Sequence, residues 1–168
     1  MQFNYLFPLA LLATFVSHAN AQVAAIEAAF LVIAGELDDF GAAFATGTSS
    51  TDILNTGADL VTAIDAATPI VQGSPNIGFF QAIDLAESLG SVGDSAEAAF
   101  DTVVAQRAAA DTLGITPQVR VLIEDVRDSI AALGAALVPK VPFLLRSQVQ
   151  EAVADVDARL ADAIAVYS

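Results

Sequence analysis

Apolar residues recur along this chain at helical spacing. Val23, Ile26, Phe30, Ile33, Leu37, Phe40 and Phe44 follow one another at steps of three and four, a heptad seam held for three repeats. At 1.5 Å per residue the seam is about 33 Å long. Leu31 and Val32 lie off it, so four large apolar residues in a row point to several sides of one helix. "TGTSS" (Thr46–Ser50) breaks the pattern, with Ser50 or Thr51 as the N-cap of a second helix over Thr51–Thr68 that turns Ile53, Leu60, Ile64 and Val71 to one side. Pro69 and "QGSPN" (Gln72–Asn76) are expected to end it. Gly90 and Gly93 predict a split of the next stretch into a short helix, Phe79–Leu89, and a longer one from Asp94 carrying Phe100, Val103 and Val104. Gly114 as a stop, Thr116 as N-cap and Pro117 at the first position open a further helix that runs to Leu137. Val119, Leu122, Val126, Ile130 and Leu133 form its stripe. "VPKVP" (Val138–Pro142) turns the corner, and Pro142 opens a last helix that buries Val149, Val153, Val156, Leu160, Ile164 and Tyr167.

No strand pattern competes with these periods. The expected fold is all-α: an antiparallel up-down bundle of five long helices plus one short helix, in a single domain over residues 22–168. In such a bundle the corner Pro69–Phe80 and the corner Leu137–Leu145 fall at the same end. Both are apolar for turns, with Ile77, Phe79 and Phe80 in one and Val141, Phe143 and Leu144 in the other. Two readings stand: hydrophobic packing at helix starts, or an apolar tip that meets lipid or a hydrophobic solid.

Residues 1–21 read as a signal peptide. "LFPLALLATFV" (Leu6–Val16) is an apolar run of the right length, too short to span a bilayer, and Ala19 and Ala21 place cleavage before Gln22. That points to a secreted protein, extracellular or associated with the cell wall, with no transmembrane span. The chain has no Cys and no Trp, and its single His (His18) and single Met (Met1) lie in the leader. Imidazole and thiol chemistry, and the metal sites built on them, are therefore excluded from the rest. Carboxylates are abundant, but Asp38-Asp39 and Asp155-Val-Asp157 diverge around a helix and no calcium-binding loop appears. An enzyme is not expected, nor a cofactor or metal.

The formal charge is −14. Gln22–Gln106 carries twelve acids and no Lys or Arg, while Arg107–Ser168 carries eight acids and all six bases. Nucleic acid and anionic headgroups are poor partners for such a surface. Arg107–Asp111, Arg120–Glu124 and Asp155–Arg159 stand at i,i+4 and are expected to pair along helix surfaces.

An Ala-rich chain of this length behind a signal peptide, with "LVPKVP" (Leu137–Pro142) before the last helix and a closing "LADAIAVY" (Leu160–Tyr167), resembles the fungal family of secreted hydrophobic surface-binding protein A and cell wall galactomannoproteins. The resemblance implies an all-helical, non-enzymatic secreted module. In that family some members adsorb to hydrophobic solids and recruit a secreted polyester-degrading esterase, and others hold fatty acids between helices. This chain has no Ser/Thr-rich stalk, no apolar tail after Tyr167 and no Asn-x-Ser/Thr acceptor, which weakens the case for wall attachment.

The residues themselves leave three functions open. Phe30, Ile33, Leu37, Phe40, Phe44 and Phe100 either fill a core or wall a channel for a fatty-acid-like lipid, with Lys140 and Arg146 as candidate headgroup partners. Ile77, Phe79, Phe80, Val141, Phe143 and Leu144 are the candidate contacts with a hydrophobic surface. The alternative is an acidic structural or antigenic cell-wall mannoprotein without a specific ligand.

Overall fold

Helices form where the apolar period predicts them, and their ends follow tertiary packing. The structure, a computed structural model, describes residues 7–168, with side chains from Ala21 onward. The expected leader therefore lies, but for Ala21, outside the described side chains. The elements are α1 (Phe7–Thr46), α2 (Ser50–Gly73), α3 (Phe79–Ala105), α4 (Arg107–Leu113), α5 (Thr116–Leu137), a 3-10 turn (Phe143–Leu145) and α6 (Arg146–Val166). Among the described residues there is no strand, and no helix is long and apolar enough to cross a membrane.

All seven seam residues of α1 are buried, while Leu31 and Val32 are exposed. This places α1 in the wall of the bundle and not at its centre. The long helices close into a ring in the order α1, α2, α5, α6, α3 and back to α1. Short connections reverse the chain at each end, so α1, α3 and α6 run one way and α2 and α5 the other. Sequence neighbours are antiparallel as expected, yet α3 lies parallel to both of its ring partners, α1 and α6.

Five local expectations need correction. α2 continues through Pro69 to Gly73: the ring costs the Asp65 carbonyl its helical donor, but buried Ala67 and Val71 hold the last turn against the bundle. Its N-cap is Ser49, whose Oγ accepts from the Asp52 amide at 3.2 Å. α3 is one helix through Gly90 and Gly93, and the single short helix is α4. Thr116 is the first residue of α5 and not its cap; its hydroxyl bonds Asp111 and Arg107. Pro142 precedes the 3-10 turn, and α6 starts after that turn.

Close helix approach depends on small residues. A Cβ on Gly57 would overlap the Leu122 side chain and meet Phe40 Cε2 at 3.0 Å, so with any larger residue there Leu122 must move for α2 to sit this close between α1 and α5. On Gly134 a Cβ would meet Val153 Cγ2 at 2.9 Å, which sets the α5–α6 spacing. Polar contacts add orientation. Arg127 makes a two-pronged pair with Asp157 between α5 and α6, holding that carboxyl below the usual carboxylate range, and Ser129 donates to Asp65 between α5 and α2. Arg107 pairs with Asp111 and Arg120 with Glu124 as expected, but Arg159 turns from Asp155 to Glu97 and Asp101 of α3.

The end of the bundle that holds α4 is closed by a polar latch. Tyr167 is buried and its hydroxyl donates to the Val103 carbonyl at 2.8 Å. Arg107 donates to the Val166 carbonyl and stacks 5.2 Å from the Tyr167 ring centre.

Two consequences are measurable. Gly57→Ala should cost about 1–3 kcal/mol through overpacking, read from urea unfolding; wild-type stability would refute the tight α2 contact. Burial pushes the Tyr167 phenol up to about 12, whereas an unfolded tyrosine ionises near pH 10. Between those values the folded state keeps a proton that the unfolded state has lost, so stability should fall as pH rises across this interval. Tyr167→Phe should flatten that decline in alkaline unfolding curves.

Candidate functional site

A ring of five helices leaves space on its axis unless side chains fill it. Here the axis is filled at the α4 end and not in the middle. Phe40 packs edge-on against Phe44, ring centres 5.1 Å apart, and against Phe100 at 6.4 Å. Beyond this aromatic plug lies an apolar cavity of about 90 Å³, bordered by all five long helices. α1 contributes Phe30, Ile33 and Leu37 to its wall. Six further wall residues, Leu89, Val92, Ile130, Leu133, Val153 and Val156, are only half-buried although they lie on the inward stripes of α3, α5 and α6. Their incomplete burial marks unfilled interior space.

The cavity adjoins a groove of about 500 Å³ between α3 and α6. Leu89, Gly93, Val149, Ala152 and Val156 border both. Small side chains leave the space between the two helices unfilled: Gly90, Gly93 and Ala86 on α3 and Ala152 on α6 line it, and a Cβ on Gly90 or Gly93 would meet nothing within 4 Å. Toward α4 the groove ends at Arg159, whose guanidinium is 2.7 Å from Glu97, near Asp94 and Asp155. At the other end it begins at Ala82, Ile83, Val141 and Leu145. The seam between α3 and α6 is thus fastened by Arg159 and Tyr167 at one end and unlatched toward the other.

That other end is formed by the two apolar corners, which meet as the up-down topology predicts. The Ile77 amide donates to the Lys140 carbonyl at 2.8 Å, and Lys140 Nζ donates to the carbonyls of Gln72 (2.8 Å) and Ser74 (2.6 Å). Arg146 donates to the carbonyls of Val141 and Pro139 in its own corner. Both candidate headgroup partners therefore already bond backbone. Of the six candidate surface contacts, Ile77 and Val141 are buried, whereas Phe79, Phe80, Phe143 and Leu144 are 48%, 80%, 81% and 75% exposed.

Of the candidate channel residues, Phe30, Ile33 and Leu37 are at the cavity, while Phe40, Phe44 and Phe100 form the plug beneath it. Sequence reasoning missed the groove: its glycines looked like helix breaks. Their i,i+3 spacing, which puts both on one face of a helix, was the available signal. Among the described residues no group of acids or imidazoles is placed to hold a metal.

Lys140 ties the corners through two charge-assisted bonds. Lys140→Ala should lower stability by about 2 kcal/mol, a loss of several degrees in melting temperature; an unchanged melting temperature would show that the corners hold without it.

The family model for hydrophobic surface binding protein A matches residues 17–139. A comparison with curated protein sequences finds no match. Among solved structures, ligand binding domain 1 of the Penicillium marneffei MP1 protein, complexed with arachidonic acids, is similar over 88% of this chain and 99% of that one, with a TM-score of 0.84 at 16% identity. Ligand binding domain 2 of MP1, complexed with multiple arachidonic acids, gives a TM-score of 0.84 at 15% identity, over 87% of this chain and 96% of that one. AFMP4P in complex with palmitic acid gives 0.82 at 21% identity, over 87% and 99%. At these identities the likeness establishes a shared fold.

Proposed function

The chain belongs to the hydrophobic surface-binding protein A family, and on that premise we propose that it is a secreted, non-enzymatic carrier of single-chain amphiphiles such as fatty acids, held between α3 and α6 and reaching into the centre of the bundle. The observation that carries this reading is the continuity of the axial cavity with the groove. Alone, 90 Å³ is far below the roughly 300–1,000 Å³ of ligand pockets, whereas the 500 Å³ groove falls within that range. An acyl chain laid in the groove reaches the interior when the unlatched part of α6 moves away from α3. Leu89, Val92, Val153 and Val156 then gain the apolar cover that packing leaves incomplete. The relatives of this fold that carry arachidonic or palmitic acid support the same ligand class. The expected signal peptide at residues 1–21 supports secretion, and an esterase partner is carried by family resemblance alone.

A second reading, adsorption to hydrophobic solids, is favoured by the exposed Phe79, Phe80, Phe143 and Leu144. Apolar adsorption survives high salt, whereas retention of an acidic wall component by cationic material is screened.

Gly93→Leu distinguishes a carrier from a plain bundle. The open space around Gly93 lets the fold accept the side chain, which then fills the junction of cavity and groove. Wild-type protein should bind palmitate in a calorimetric titration, and the variant should keep its circular dichroism and lose at least about tenfold in affinity, the equivalent of 1.4 kcal/mol. A folded Gly93→Leu protein with wild-type affinity would overturn the assigned site, and wild-type protein that ignores palmitate would overturn the carrier function.

A further inference from the structure

Resting on that carrier reading, the placement of the exposed aromatic residues bears on how a ligand gets in. The mouth of the groove and the apolar tip are the same place. Phe79 and Phe80 stand one helical turn before Ala82 and Ile83, which begin the groove on the α3 side, and Ile83 is itself half exposed. Phe143 and Leu144 immediately precede Leu145, which begins it on the α6 side. We infer that this end docks on an uncharged lipid surface and that the ligand passes between that surface and the groove by direct contact, without crossing bulk water.

Charge selects this occupant. No Asp, Glu, Lys or Arg occurs from Ala66 to Ile83. The other corner offers only Lys140 and Arg146 between Asp128 and Glu151, and both of their charged heads are turned onto backbone carbonyls. Among the described side chains, the two corners therefore present apolar residues, and both of their cations are already held on backbone carbonyls. The α4 end carries Asp38, Asp39, Asp52, Asp101 and Asp111, and the whole chain is at −14. An anionic surface repels such a molecule, and a neutral one accepts it tip-first. The bonds from Lys140 and the Ile77 amide hold the two corners as one preformed platform, so docking orders little new backbone. Contact transfer also avoids exposing the acyl chain to water, whose cost grows with every methylene.

Stopped-flow transfer of a fluorescent fatty acid from the loaded full chain to phosphatidylcholine vesicles tests the inference. The transfer rate should rise in proportion to vesicle concentration, and should fall when anionic phosphatidylglycerol is mixed in at low salt. Phe80→Ser with Phe143→Ser alters two largely exposed residues, of which Phe80 touches the edge of its neighbour Phe79 at 5.9 Å between ring centres. It should slow transfer at least about tenfold, as expected from lost apolar contact, with the equilibrium affinity for the probe unchanged. Leu31→Ser with Val32→Ser, on the exposed flank of α1, should leave the rate as it is. A rate independent of vesicle concentration, an equal loss in the α1 variant, or faster transfer to anionic vesicles would overturn the inference. So would a wild-type dimer that the tip variant dissolves without slowing transfer, since the tip would then be a self-association surface. Absence of any probe binding at equilibrium would instead remove the carrier reading, and this inference with it.

Discussion

One asymmetric constraint organises the molecule: α3 and α6 are fastened to each other at one end only. Tyr167 to Val103 and Arg159 to Glu97 hold the α4 end. Beyond them, Gly90, Gly93, Ala86 and Ala152 provide no large side chains to knit the same two helices together. The other ring contacts are closer, through Gly57 between α2 and its neighbours and Gly134 between α5 and α6. A ring of five helices with four firm seams and one half-open seam has a built-in place to admit a chain-like molecule. The polar latch and the aromatic plug of Phe40, Phe44 and Phe100 set the closed end, and the apolar corners set the open one.

Glycine serves opposite ends in this bundle. At Gly57 and Gly134 it allows helices to touch, and a methyl group there would collide. At Gly90 and Gly93 it leaves a space that nothing fills, although each glycine costs α3 roughly 1 kcal/mol of helix propensity relative to alanine. A helix that only had to pack would do better with alanine at both positions. Their presence, together with half-buried aliphatic residues on the inward faces of three helices, is what the proposed occupancy accounts for and stability does not.

Much of this was legible before the structure. The α1 seam follows from strict heptad spacing, and the meeting of the two corners follows from an even number of reversals. The glycines and Pro69 misled because local propensity penalises them, while the surrounding bundle overrides a penalty of a few kcal/mol by burying residues on both sides, such as Ala67 and Val71 around Pro69. The role of Lys140 was not legible, since its partners, the Gln72 and Ser74 carbonyls, lie more than sixty positions away. Arg159 illustrates the same limit: the i,i+4 rule offered Asp155, and tertiary placement offered Glu97 at 2.7 Å.

If a ligand enters as proposed, the α3–α6 seam opens from the tip and stays shut at the latch. The chain lacks cysteine, so spin labels can be placed at will. Pulsed electron resonance distances between labels at Glu87→Cys and Glu151→Cys, exposed positions on the two helices that flank the groove and outside its lining, should lengthen when palmitate binds. Labels at Thr102→Cys and Ala165→Cys, beside the latch, should keep their separation. Palmitate binding with no change across the groove, or with the change at the latch end, would contradict the account.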